Sequence, residues 1–518
     1  MPIRMVDDPR DPNEQDDGGG GGGRSNFPGG GGGIMSLLPM LLGLFKGKGI
    51  IVLLVIGAAA YFLLGRGNCN PSAVQKLFSE SGYNYSPEEF NKASVYEGLE
   101  DDAGKNPLPE AVSLLKFAPQ PGNQGQQGSC VAWSSAYGAR TILEAASAGV
   151  NPNQIKFSPS FVYNQIGLEN CEGSYIEKAM ELMSQQGALP LSEFPYDDQD
   201  CERQPSGSQR SEASQYKLHG FTRLTDGDNV QAINVRAVKE HLAKDAPVVI
   251  GMMVGQSFMQ DMMGQELWQP QGLDQSQMGM GGHALCVIGY DDRKFGGAFQ
   301  ILNSWGPDWG KDGVAWVRYG DFRDYVREAY GVDPLPKRGV VANIPLECAI
   351  GLVRNDDKQY IPLQSGGGNQ FETARPIQSG TKFKMEIRNA TECYIYIFGQ
   401  ETDQSSYVLF PYSNKHSPYC GITGYRLFPK SESMMADSVG TRDFIAILVS
   451  KDELDYNALN QSISQSRQPT YPGKVNEALN AILIRSARFN NGPNGTINFR
   501  VDANDNKAVA CVVAIDKQ

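Results

Sequence analysis

Basic residues are a minority in this chain, histidine is scarce, and no repeat period runs through it. Lysine and arginine total 46 against 58 aspartates and glutamates, for a net charge of −12. So acidic a chain repels a phosphate backbone instead of releasing its counterions, which excludes nucleic acid as a partner. Four histidines leave few candidates for a general base, and the lack of a repeat excludes an array of copies of one unit. Apolar residues are almost missing from the first 33 positions, a Gly/Asp-rich stretch that cannot offset its conformational entropy by burial and reads as a disordered tail.

A long apolar run is nearly missing too. The best one, residues 50–64 (IIVLLVIGAAAYFLL), holds fifteen uncharged residues, and Gly49 and Gly65 extend it to seventeen, the short end of a membrane span. Arg4, Arg10, Arg24, Lys46 and Lys48 precede it and only Arg66 follows closely, so the positive-inside rule predicts a cytoplasmic tail, a single-pass anchor and an extracytoplasmic body. An apolar segment at 34–45, broken by Pro39, is expected along the membrane surface. The run begins too far from the start for a cleaved signal peptide, which favours an uncleaved anchor.

At 518 residues the chain exceeds one ordinary core. The expected division is a tail with an interfacial segment at 1–48, an anchor at 49–65, a polar linker or short pro-segment at 66–106, an α+β domain at 107–345 and a mainly β domain at 346–518. Within the expected α+β domain, helical patterns at 132–148 and 174–186 precede strand patterns at 248–254, 283–290, 298–305 and 314–319. Beyond Cys348, KFKMEIR, YIYIF, YVLFPY, FIAILV, TINFRV and AVACVVAI all read as strands, with helices near 451–466 and 474–487. His416 follows a turn-rich stretch there and reads as a surface residue.

Nine cysteines, at 69, 130, 171, 201, 286, 348, 393, 420 and 511, are an odd number, so at least one thiol stays unpaired. Cys130 stands directly before a small-residue run, in PGNQGQQGSCVAWSSAYG, where the positive end of a helix favours thiolate. A thiolate nucleophile needs an imidazole held in one tautomer by a third polar group. His283 follows two glycines at the start of a buried strand in GGHALCVIGYDD, and Asn303 ends the next strand in ILNSWG, where antiparallel pairing brings its amide to the ring.

These residues in this order resemble the papain family of cysteine peptidases: Gln124, then Gly128-Ser129-Cys130, then Gly-His-Ala and Asn-Ser-Trp-Gly. The resemblance spans about 108–340, and His283 and Asn303 lie 153 and 173 residues beyond the cysteine. It implies a two-lobed fold, helical and β-barrel-like, with no cofactor and no metal. It makes Cys130 the nucleophile, His283 the base and later acid, Asn303 the orienting group and Gln124 an oxyanion-hole donor beside the Cys130 amide, with Trp305 shielding the Asn/His pair. CEGSY resembles the wall that binds a substrate backbone, which marks Gly173 and Ser174, with Gly128 and Gly282, as substrate-binding residues; Cys171 and Cys201 are implied as a disulfide. Gln127 and Val131 depart from the usual cysteine and aromatic, which points to a divergent, bacterial branch. No helical inhibitory pro-domain of the usual kind is visible in 70–106, and the Met/Gln-rich stretch 252–280 is an insertion that either gates the cleft or is mobile. The expected function is a membrane-anchored endopeptidase acting on peptides or proteins; the competing reading is an inactive peptide-binding scaffold of the cell envelope on the same fold. Oligomeric state is not encoded in any of these motifs.

Overall fold

The computed structural model describes residues 3–8, 82–277, 280–339, 344–502 and 507–518. The expected anchor at 49–65, most of the expected tail and the first part of the linker lie outside the described residues. Among the described residues no helix is long and apolar enough to cross a membrane.

The helical lobe is organised on one buried helix. It starts at Cys130–Ala132, passes through a π-wound stretch, Trp133–Arg140, and continues as Thr141–Ala148. Nearly every residue in it is buried, as expected for a helix apolar all round. Gly149, with φ +66°, ends it in a left-handed turn whose N–H returns to Ala145. Its small residues let it press against the β lobe: a Cβ at Gly138 would lie 3.0 Å from Cβ of Cys286. The helices Pro159–Ile166 and Ile176–Gln185 pack beside it.

The β lobe is an antiparallel sheet in the order Phe221–Arg223, Val326–Val332, Val248–Val254, Gly281–Asp291, Ala298–Leu302, Val314–Arg318, with Ala111–Ser113 also pairing with Gly281–Asp291. Its central strands are buried on both faces, which explains their unbroken apolar sequences. The insertion at 252–280, expected either to gate the cleft or to be mobile, is packed in its described part. Trp268 is fully buried and donates from Nε1 to Ser257 Oγ at 3.0 Å. Asp274 accepts from the backbone of Gln256 and Ser257 at 3.1 and 2.8 Å, closing the insertion on itself.

From Leu346 onward two sheets face each other across a second core, built from residues such as Ile350, Phe383 and Ile387 on one and Ile397, Ile447 and Val513 on the other. The helices Tyr456–Gln465 and Tyr471–Ala478 cover the outer face of the second sheet through Tyr396, Leu448 and Val512. Both faces of that sheet are thus covered, so YIYIF and FIAILV read as continuous apolar runs instead of alternating ones. His416 is mostly buried, its ring nitrogens 3.8 Å from Glu97 and 3.9 Å from Asp228, and is not the surface residue expected.

Two features of the N-terminal region correct the sequence reading. Residues 82–106 are not a loose linker: Arg426, fully buried, donates to the Glu97 carbonyl at 2.9 Å and to Asn389 Oδ1 at 2.6 Å, so the segment is clamped between the two cores. The first residues are also ordered. Ile3–Asp7 forms an edge strand antiparallel to Glu432–Ala436, Ile3 is buried in the second core, and the Tyr407 hydroxyl donates to its carbonyl at 2.8 Å. Asp8 pairs with Lys384 at 2.7 Å. The residues between 8 and 82, on which the expected single-pass topology rests, lie outside the described ones.

Candidate active site

Cys130 opens the central helix and is completely buried. Its sulfur accepts the backbone N–H of Ala284, the residue after His283, at 3.4 Å. This contact crosses the seam between the lobes and brings the cysteine and the histidine strand together. His283 Nε2 lies 2.7 Å from Asn303 Oδ1, and the same oxygen accepts the Ser304 amide at 2.8 Å, which fixes the carboxamide. With Nε2 engaged by an acceptor, the neutral ring carries its proton there and Nδ1 is the basic nitrogen.

Trp305 stacks on the imidazole, ring centroids 4.3 Å apart at 24°. Behind it, Phe258 touches His283, Trp305 and Trp309, and its carbonyl accepts the Trp309 indole N–H at 2.8 Å. The insertion that carries Phe258 therefore buttresses the histidine. Nothing in a Met/Gln-rich segment announces this role, since it depends on one phenylalanine.

Gln124 is held by Ser304, whose hydroxyl donates to its Oε1 at 2.7 Å, while its own Nε2 donates to the Gln127 carbonyl at 3.0 Å. The side-chain amide thus presents N–H toward the loop that precedes Cys130. The Cys171–Cys201 disulfide is formed, with Cα atoms 6.1 Å apart. The described thiols that stay free are Cys130, Cys286, Cys348, Cys393, Cys420 and Cys511.

The residues marked from sequence as substrate-binding gather along one strap of chain, residues 82–84. Ser174 N–H donates to the Gly82 carbonyl at 2.9 Å, and Asn84 N–H donates to the Ser174 carbonyl at 3.1 Å, a parallel bridge. Gly82 lies so close to Gly128 and Gly173 that a Cβ on either would contact it at 3.2 or 2.5 Å. Tyr83 lies against Gly282. Sequence reasoning missed the strap, because Gly-Tyr-Asn has no signature and its role exists only through contacts ninety residues away.

Burial pushes the Cys130 thiol up to about 12, against the opposing pull of the amides of Ala284, Val131 and Cys130 itself. With the cleft filled, the helix-terminus effect expected from sequence is outweighed by desolvation, and the thiol is neutral. His241 is fully buried in the core, where burial lowers its pKa to about 4, and takes no part in this site.

A family model for the papain family cysteine protease matches residues 116–330. The chain is 27% identical over 219 residues to a cathepsin B-like protein, CP2, of Giardia intestinalis, covering 40% of this chain and 68% of that protein. It is 29% identical over 213 residues to cathepsin K of Mus musculus, covering 40% and 59%. A solved structure of xylellain, a cysteine protease from Xylella fastidiosa, is similar with a TM-score of 0.41 and 24% identity, covering 50% of this chain and 97% of that one. By its family model and these relatives, the domain at residues 116–330 is a papain-like cysteine peptidase domain.

Proposed function

We propose that the chain hydrolyses peptide bonds with Cys130 as nucleophile, His283 as base and acid, and Asn303 as the group that orients the ring. The observation that carries this reading is the pair of contacts at the lobe seam, Ala284 N–H on Cys130 Sγ and Asn303 on His283 Nε2. Once the cleft is hydrated, the thiol proton passes to Nδ1, and Asn303 steadies the resulting imidazolium. The thiolate attacks the scissile carbonyl, Nδ1–H protonates the leaving amine, and a water activated by the same nitrogen releases the acyl group. The Cys130 amide and the Gln124 side chain face the developing oxyanion, where one donor contributes about 3 kcal/mol. The competing scaffold reading loses weight because nucleophile, base and orienting amide are all retained.

Residues 82–84 hold the cleft closed in this reading, so the chain rests latent. The 49–65 segment attaches the protein to a membrane while residues 3–8 and 82–518 stay together on one side. The Cys171–Cys201 disulfide supports an oxidising, extracytoplasmic side. Cys130→Ala should abolish hydrolysis of a casein substrate with an unchanged melting temperature; residual cleavage in that variant would remove Cys130 from the mechanism.

A further inference from the structure

Three thiols with no part in the chemistry above meet at one corner of the second core. Cys348, Cys393 and Cys420 are all buried in it, at 2% exposure or less. The chain leaves the first sheet at the end of the strand Lys382–Asn389 and enters the second with the strand Cys393–Gln400, so only residues 390–392 turn the corner. Cys348 lies directly opposite Asn389 on the first sheet, and Cys420 lies directly opposite Cys393 on the second. Asn389 joins the two pairs, its Nδ2 donating to the Cys420 carbonyl at 2.9 Å. Across the gap between the sheets, the thiols of Cys348 and Cys393 share a hydrogen bond.

Of these two neighbours of Cys393, the backbone disfavours Cys420 as a bonding partner. Ile395 N–H donates to the Pro418 carbonyl at 2.9 Å, which makes Tyr394/Tyr419 the pair without mutual backbone bonds and Cys393/Cys420 the hydrogen-bonded pair. Opposite residues of a hydrogen-bonded pair hold their Cβ atoms about 5.5 Å apart, whereas a disulfide needs about 3.5–4.5 Å. The Cys420 sulfur is also turned back toward the Pro418 carbonyl, at 3.9 Å. Cys348 approaches Cys393 from the other sheet, where no strand register fixes the separation of the two side chains.

We propose that Cys348 and Cys393 are a disulfide site, closed as the chain folds in the presence of a small-molecule or protein disulfide, which staples the two sheets together and leaves Cys420 a thiol. The Cys393 thiolate attacks one sulfur of that oxidant, and the other half leaves as a thiolate. Cys348, deprotonated in turn, attacks the mixed disulfide and releases the second half. The two cysteines give up two protons and two electrons, and the oxidant becomes two thiols. Burial keeps the sulfurs of the finished domain from any outside oxidant, so the bond forms before the core closes.

The test unfolds and reduces the full chain, refolds it by dilution into a mixture of oxidised and reduced glutathione, blocks remaining thiols with N-ethylmaleimide, and digests it without reductant for mass spectrometry. A chain that does not refold is instead held folded in the same mixture at the midpoint of its urea transition, where the core opens and recloses. The digest should contain Cys348 joined to Cys393, with Cys420 blocked by maleimide. Reducing the oxidised chain should lower its melting temperature by about 5 °C more than it lowers that of Cys393→Ala, which keeps only the Cys171–Cys201 bond. Maleimide on both Cys348 and Cys393, a bond from Cys393 to Cys420, or equal falls in melting temperature would overturn the proposal.

Discussion

Replacing Tyr83 by glycine should unmask Cys130. The strap is anchored by the buried Tyr83 ring and by two backbone hydrogen bonds to Ser174. Deleting a buried aromatic side chain typically costs ~3–5 kcal/mol, and each remaining hydrogen bond contributes about 1 kcal/mol. Tyr83 belongs to the first core, so part of this loss falls on the fold as a whole and part on the strap's attachment. Taking ~3 kcal/mol, the population with the strap released rises roughly a hundredfold. The sign of the ionisation effect is the same: burial holds the thiol pKa at about 12, so hydration on release lowers it and increases thiolate at neutral pH. The assay is the rate of iodoacetamide modification of Cys130 at pH 7, read peptide by peptide by mass spectrometry. Five other buried thiols, Cys286, Cys348, Cys393, Cys420 and Cys511, report global unfolding in the same experiment. An unchanged Cys130 rate, or one that rises only in step with those five, would refute the reasoning.

Asn303→Ala should lower kcat at least tenfold with a smaller change in KM, because the lost contact orients the base; equal effects on both would contradict that role. Phe258→Ala removes the ring behind Trp305 and should cost about 3–5 kcal/mol, measured by urea denaturation, with reduced kcat in the folded protein. Gly138→Val should cost about 1–3 kcal/mol by forcing the central helix off Cys286, and a neutral result would mean that the lobes part freely. Glu328 is an acid whose folded pKa of about 8 exceeds its unfolded value, so it holds a proton that the unfolded chain releases. Stability should therefore fall as pH rises from about 4.5 to 8, and the melting temperature of Glu328→Gln should gain on the parent across that window. Deleting residues 1–8 should lower the melting temperature by exposing Ile3's place in the second core and the Glu432–Ala436 edge; an unchanged transition would show that this strand contributes nothing.

The cysteine, histidine and asparagine proposed for catalysis could be picked out because each sits in a local pattern: a thiol before a small-residue helix, a Gly-Gly-His strand start, an Asn at a strand end. Antiparallel pairing of neighbouring strands then carries the last two together. The second domain was legible in its strand runs, since a sheet covered on both faces leaves long apolar stretches in the sequence. What stayed hidden depends on distant contacts. Ile-Arg-Met-Val-Asp is too short to stand out from the Gly/Asp-rich stretch after it, and it becomes a strand only because Glu432–Ala436 offers an edge. Glu328 in REAYGV looks like an ordinary polar position; its meaning comes from Gly251 opposite and Tyr83 above. The insertion at 252–280 has the composition of a loose loop, yet Trp268 and Asp274 bind it together.

The most direct measurement is the pH profile of Cys130 alkylation in the strap-released Tyr83→Gly chain, with and without His283→Ala. If sulfur and imidazole form one ionising unit, the parent profile has an acid limb well below the ordinary thiol pKa of about 8.5, and His283→Ala abolishes it. A single ionisation near that ordinary value, indifferent to the loss of His283, would contradict the claim that these two residues share a site.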